Sequence, residues 1–433
     1  MLNYRAQPTG FKFWVGFALF LLIVVTVAYG EDRTDDQSSA PESAEVKKNI
    51  LDRIHQALTS SEGVYSKAPD TPMRLKLHRS ELFGVHLHNV EFRYSDQPDI
   101  NVPPGQTGSQ FQIATAELEF SGLLMPELLY AQVVIDPRDM LGRGLGDSIA
   151  AKINPQNAPS GIVRDAFFDF LVAEPYVNMR MGQQRIPFGI EAQTPGGLLP
   201  FIDRAYLDFK VPHNPGAENT SFGNAEFIQE RDIGIQARGN IWELAGLDYA
   251  LGLFNGSGIN VNDTNDSKDL IGRIGMAPDP GFRLGFSGYK GNQSNLQDIN
   301  VSRDRVGGDF EWTPAFIPRL RLMGEGASGQ DGPYWRGAWY ASGFYELIPQ
   351  LTPASPGLLI GIRYEEMRDS DVYNRATIGL TYYFLNAVNT SNGYWQQVKF
   401  QVNYEFRNHP DSTNPSTDAY AKDLLIVQMT ARY

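Results

Sequence analysis

Arginine is the chain's main chemical resource, and its placement is regular. Arg180, Arg238, Arg273, Arg283, Arg305, Arg321, Arg363 and Arg375, with Gln236, Arg319 and Lys399, sit in runs where polar and apolar residues alternate. A guanidinium is planar, stays charged, and donates two parallel hydrogen bonds to a carboxylate or phosphate. Several such forks spaced along a wet path would hold an oxyanion weakly and repeatedly, as conduction requires. The other use of each is structural, as the partner of an acid on the same face. Asp169, Asp309, Glu311, Glu325, Glu365 and Glu405 are available for this, and for most of the row that pairing is the expected arrangement.

Bond-breaking chemistry finds little support. The chain has no cysteine, which removes thiol catalysis and zinc–thiolate sites. G-x-S-x-G, H-E-x-x-H and P-loop patterns are absent. His86 and His88 share one face of a strand, but no carboxylate accompanies them. Asp263, Asn265, Asp266 and Asp269 read as a solvated loop rather than a Ca²⁺ site. No enzyme activity, metal or cofactor is therefore expected. A net charge of −13 argues against a nucleic-acid partner.

The elements that must position the arginines are strands. Around Arg180, Val177, Met179 and Met181 alternate with Asn178, Arg180 and Gln184. Elsewhere Ile235, Ile274, Leu284, Phe310, Leu320, Ile362, Ile378 and Phe400 take the face opposite the basic residues. Segments of this kind fall at 82–94, 111–121, 127–137, 163–172, 175–185, 231–239, 245–254, 269–277, 282–290, 304–313, 319–328, 336–347, 358–367, 373–384, 395–407 and 423–433. The last carries Leu425, Val427, Met429, Ala431 and Tyr433 on one face and Gln428, Thr430 and Arg432 on the other, with Leu424 and Ile426 as exceptions.

Tight turns at 173–175 and 278–281 oppose long polar connections at 138–162, 186–230, 255–268 and 408–422. This pattern predicts an all-β fold, a transmembrane antiparallel β-barrel of sixteen strands over 79–433, with fourteen or eighteen as alternatives because the first and twelfth segments are poorly phased. The apolar face would meet lipid and lipopolysaccharide, where a charge costs about 2–4 kcal/mol at the bilayer midplane. The connection 186–230 is the one expected to fold inward and narrow the lumen.

The amino-terminal part differs. Arg5 and Lys12 precede an apolar stretch over 13–29, and Ala28-Tyr29-Gly30 offers small residues for cleavage. This is the pattern of a signal peptide over 1–30, with a retained helix as the alternative. Residues 31–78 read as a periplasmic extension in which Val46, Ile50, Ile54 and Leu58 make a short amphipathic helix. Such a segment could also tether the barrel to the cell wall. A negative mean hydropathy excludes a helical membrane protein and permits a barrel, whose strands are apolar only at alternate positions.

The segment at the inward connection resembles a known family. Gly182-Gln183-Gln184-Arg185-Ile186-Pro187-Phe188-Gly189-Ile190-Glu191 is similar to the G-Q-x-x-x-P-F-G-x-E motif of the phosphate-selective porin O/P family. Pro200-Phe201-Ile202-Asp203-Arg204, Leu253-Phe254-Asn255-Gly256, the stretch 340–345 and Ile362-Arg363-Tyr364-Glu365 match in order, so the resemblance spans roughly residues 110–433. It implies a homotrimeric, sixteen-stranded channel of the bacterial outer membrane that passes small inorganic or organic anions, phosphate above all. Arg204 matches the family's constriction arginine and Asp165 a strand acid beside it. The family's arginine pair is Ala114-Thr115 here, and its lysine is Ala192. The resemblance singles out Arg204 and Asp165; reading the residues adds Arg180 and Arg185 to Arg204 as the anion-selecting cluster, and alternation adds Arg238, Arg273 and Arg283 as further pore residues. A general or cation-tolerant porin is the alternative.

Overall fold

The computed structural model describes residues 86–95, 108–125, 128–136, 163–207, 227–228, 230–263, 265–294, 300–332, 334–352, 355–368, 372–389, 394–408 and 423–432. The signal segment, the amphipathic helix and Tyr433 lie outside the described residues.

Among the described residues sixteen strands follow in chain order: β1 (His86–Ser95), β2 (Gly108–Met125), β3 (Leu129–Ile135), β4 (Val163–Ala173), β5 (Val177–Arg185), β6 (Arg231–Ile241), β7 (Leu247–Phe254) and β8 (Asp269–Asp279). The second half holds β9 (Phe282–Ser294), β10 (Asn300–Trp312), β11 (Leu320–Asp331), β12 (Tyr334–Ile348), β13 (Gly357–Arg368), β14 (Val372–Asn389), β15 (Tyr394–Asn408) and β16 (Leu424–Arg432). Each pairs with its sequence neighbours, and β1 closes the barrel against β16 from Leu87↔Arg432 to Tyr94↔Leu425. Every segment expected from the alternation overlaps one observed strand.

The twelfth segment is poorly phased because its inner face is itself apolar: Ala338, Tyr340 and Phe344 are buried inside, while Trp339 and Tyr345 are exposed outside. Its register against β13 slips only at the end, between Glu346 and Ile348, where a bulge inserts Leu347. The slip between β1 and β2 lies on β2, where Ala114 is the extra residue. One predicted pore residue is displaced outright. Arg319 sits in the turn before β11 with a left-handed φ of 74°, exposed, and is not on a lumen-facing strand position. The long-and-short asymmetry holds for most connections, but β11–β12 and β13–β14 are tight on the long-loop side, with Asp331 directly opposite Tyr334.

The pleat sorts side chains as a membrane barrel requires. On β13 Ile360, Ile362 and Tyr364 are exposed on the outside, while Arg363, Glu365 and Met367 are buried inside. On β16 Met429 faces out, and Ile426, Gln428 and Thr430 face in. Ile362 is 61 % exposed in the middle of its strand. Ile362→Arg should destabilise the barrel in lipid by about 2–4 kcal/mol, read as a fall in denaturant midpoint in vesicles. An unchanged midpoint would contradict the lipid-facing assignment.

Candidate functional site

The connection after β5 turns into the barrel, and its described part runs along the inner wall from β9 to β15. Contact begins at Gly189, whose N–H donates to Ser287 Oγ at 3.0 Å. Glu325 on β11 accepts the N–H groups of Ile190 and Glu191 at 3.0 and 3.1 Å. Further along, Tyr206 N–H donates to Glu365 at 2.5 Å, Lys399 donates to Leu199 O at 2.9 Å, and Gln401 donates to Pro200 O at 3.1 Å. Polar backbone buried against a polar wall needs such partners, and here the wall supplies them.

Apolar packing adds to this. Phe188, Ile186, Tyr206 and Leu207 are buried with Phe254, Ile271 and Tyr373, and Phe201 stacks 5.2 Å from Phe344. A short 3-10 turn at Gly196–Leu198 forms the bend between the β11 and β15 attachments.

Beneath the loop the wall is a matched charge lattice. Arg375 Nε lies 2.5 Å from Glu365 and Nη1 3.2 Å from Glu405, while Nη2 donates to Arg204 O. Arg363 donates to Asp203 O at 3.0 Å and lies 3.1 Å from Glu365. Most of the arginines expected inside are paired in this way. Arg180 holds Asp169 bidentately at 2.7 and 2.6 Å, Arg273 holds Asp309 and Asp248, and Arg305 holds Asp331. Arg283 is exposed and meets Asp248 at 2.6 Å, and Arg321 meets Glu311 at 2.8 Å. Arg238 is half-buried, opposite Asn178. The acids Asp169, Asp309, Glu311, Glu365 and Glu405 thus serve as the sequence suggests. Glu325 does not: it accepts loop amides rather than a guanidinium.

At the loop's base the balance changes. Arg185, Arg204 and Arg231 converge on the single carboxylate of Glu230, with Arg204 Nη2 and Arg231 Nη1 both 2.8 Å away. Asp165 takes the other side of Arg231 at 2.9 and 3.1 Å. Three guanidinium groups therefore face two carboxylates. Arg204 also donates to the carbonyls of Glu191 and Thr194, bracing the loop, and Arg185 donates to Ala192 O at 2.7 Å. Burial pushes Glu230 upward, but Arg185, Arg204, Arg231 and Arg164 outweigh it and hold the carboxyl well below its ordinary range.

Arg204 and Arg185 are brought together here, whereas Arg180 stands apart with Asp169 and is stacked 3.7 Å from the Phe167 ring. Sequence reading missed Glu230, Arg231 and Glu191. Glu230 and Arg231 lie where the loop enters β6, 45 and 46 positions beyond Arg185, and the β5–β6 register sets Arg231 opposite Arg185.

The closed sixteen-strand barrel, apolar outside and charged inside, with the long connection after β5 laid on the inner wall, defines the porin architecture. Salmonella typhi OmpF in complex with daunomycin is similar in fold, with 14% identity and a TM-score of 0.51 over 81% of this chain and 97% of that one. An anion-selective porin from Comamonas acidovorans is similar too, with 10% identity and a TM-score of 0.50 over 81% of this chain and 98% of that one. No family model matches the sequence, and no curated protein does.

Proposed function

We propose that the chain is a porin of the bacterial outer membrane through which small hydrophilic solutes diffuse passively, with small anions preferred. The barrel's apolar outer face supports the membrane assignment, with lipid and lipopolysaccharide as its surroundings. The inward loop supports a restricted lumen. Beyond its base, its described hydrogen bonds to the wall lie on β9 to β15, and across the lumen Glu119, Gln132, Asn178, Arg180 and Arg238 are half-buried, in contrast to the sealed residues beneath the loop. The homotrimer is part of the reading through the sequence resemblance.

The excess of guanidinium over carboxylate at Glu230 carries the anion preference. Arg204 commits three of an arginine's five N–H donors to Glu191, Thr194 and Glu230 among the described residues, which leaves donors for a passing anion. Phosphate is not singled out, because Ala114, Thr115 and Ala192 carry no charge where the resembled family is basic. A general porin is the second reading, favoured by the neutralised Arg180–Asp169 and Arg231–Asp165 pairs.

Reversal potentials in asymmetric KCl separate the two. Wild type should prefer chloride, and Arg204→Gln and Arg185→Gln should each move the potential toward potassium. The same cation preference in wild type and both variants would remove the anion reading and leave the general porin.

A further inference from the structure

A recess opens between the inward loop and the wall of β11 to β13, on the short-turn side of the loop, with a volume of about 40 Å³. Its roof is Leu198 and Ile190 from the loop, and its floor includes Met323, Ser342 and Phe344. The barrel register builds it in two layers. Ser342 stands between Met323 and Arg363 on the neighbouring strands, and Phe344 stands opposite Arg321.

The two guanidinium groups at this recess are in different states. Arg363 is sealed, 3.6 Å from Glu191, 3.1 Å from Glu365 and stacked on Phe201 at 4.8 Å. Arg321 is open, with its side chain 42% exposed. Its Nε lies 2.8 Å from Glu311, and its Nη2 reaches only the thioether of Met323 at 3.7 Å. A thioether is a weak acceptor. Among the described residues no acceptor meets Nη1, and none pairs with the hydroxyl of Ser342. Strong donors thus stand beside the apolar surface of Phe344, over which Arg321 lies at 5.7 Å.

We propose that this recess is a binding subsite for small carboxylates with a short apolar body. The carboxylate would take Arg321 Nη1 and the Ser342 hydroxyl, and the body would lie on Phe344 and Leu198. The volume suits a head group and little more, since about 10–15 Å³ of such space already holds one water. Larger acids would extend from the mouth. The inference deepens the porin reading and rests on it for its role in transport, because an organic acid held briefly below the constriction is a step in permeation. Binding itself does not require conduction.

Butyrate is the probe, measured in two ways on the full-length protein. In detergent micelles its methyl resonance should broaden with wild type, not with Ser342→Leu, which fills the recess. Arg321→Gln should bind roughly tenfold more weakly, the loss of one charge-assisted hydrogen bond. Lys290→Gln, on the outer face, should match wild type. In planar bilayers butyrate on the short-turn side should reduce the chloride current of wild type and spare it in Ser342→Leu. Equal broadening in all variants, or none in wild type, overturns the subsite. Selective broadening in a protein that carries no current leaves the subsite standing and removes the porin reading instead.

Discussion

Gly189→Val should release the inward loop and raise the single-channel conductance. Gly189 has a φ of 61°, and a Cβ placed there would lie 1.5 Å from Glu325 Oε1. The left-handed conformation alone costs an L-residue about 1–2 kcal/mol. Displacing Glu325 also strips the acceptor from Ile190 and Glu191 N–H, and a typical hydrogen bond contributes about 0.5–1.5 kcal/mol. Together these lower the population advantage of the docked loop by about a hundredfold or more. The barrel hydrogen bonds are untouched, so thermal unfolding in detergent should shift much less than the conductance. A valine variant with wild-type conductance and wild-type current noise would mean that the loop is not held by this contact.

Gly196→Cys should give a channel that a charged thiol reagent closes. Gly196 lies in the bend of the loop, is exposed, and has nothing within 4 Å of where a Cβ would stand. Substitution there is therefore free of steric cost. The chain has no cysteine of its own, so the engineered thiol is the sole target. A negatively charged methanethiosulfonate should remove most of the chloride current and move the reversal potential toward potassium, and a reductant should restore both. A positively charged reagent of the same size should block less of the chloride current. If modification goes to completion with no change in current, the bend of the loop does not face the permeation path.

The strands were readable because a half-wetted barrel writes its geometry into every second residue. On β13 the sequence Ile-Arg-Tyr-Glu is by itself an outside–inside alternation. Where a bulge intervenes, as at Glu346 to Ile348, the alternation breaks and the sequence loses its phase. Arg319 shows a second limit. Its spacing from Arg321 is right for a shared face, yet the strand begins only at Leu320, and strand ends are set by turn geometry that periodicity does not encode.

The charge partners divide by distance along the chain. Arg375 with Glu365 and Glu405 comes from adjacent hairpins and follows from register. The Arg185–Arg204–Glu230 cluster follows only in part: the β5–β6 register sets Arg185 opposite Arg231, next to Glu230, but Arg204 joins them only because the loop folds back, and nothing in the alternation says where.

The pairing of β1 with β16 has a consequence for how the molecule comes to exist. Leu87 and Arg432 are partners across almost the whole length of the barrel segment. Contacts of such separation form slowly, because the entropy of closing the ring is lost before any of them forms. Until β16 arrives, β1 carries a bare row of N–H and C=O groups, a template for pairing with any other unfinished copy. The seam is thus the last joint to set during biogenesis. An escort that shields one bare edge until the other is delivered would act on this protein at β1 and β16 rather than at its lumen.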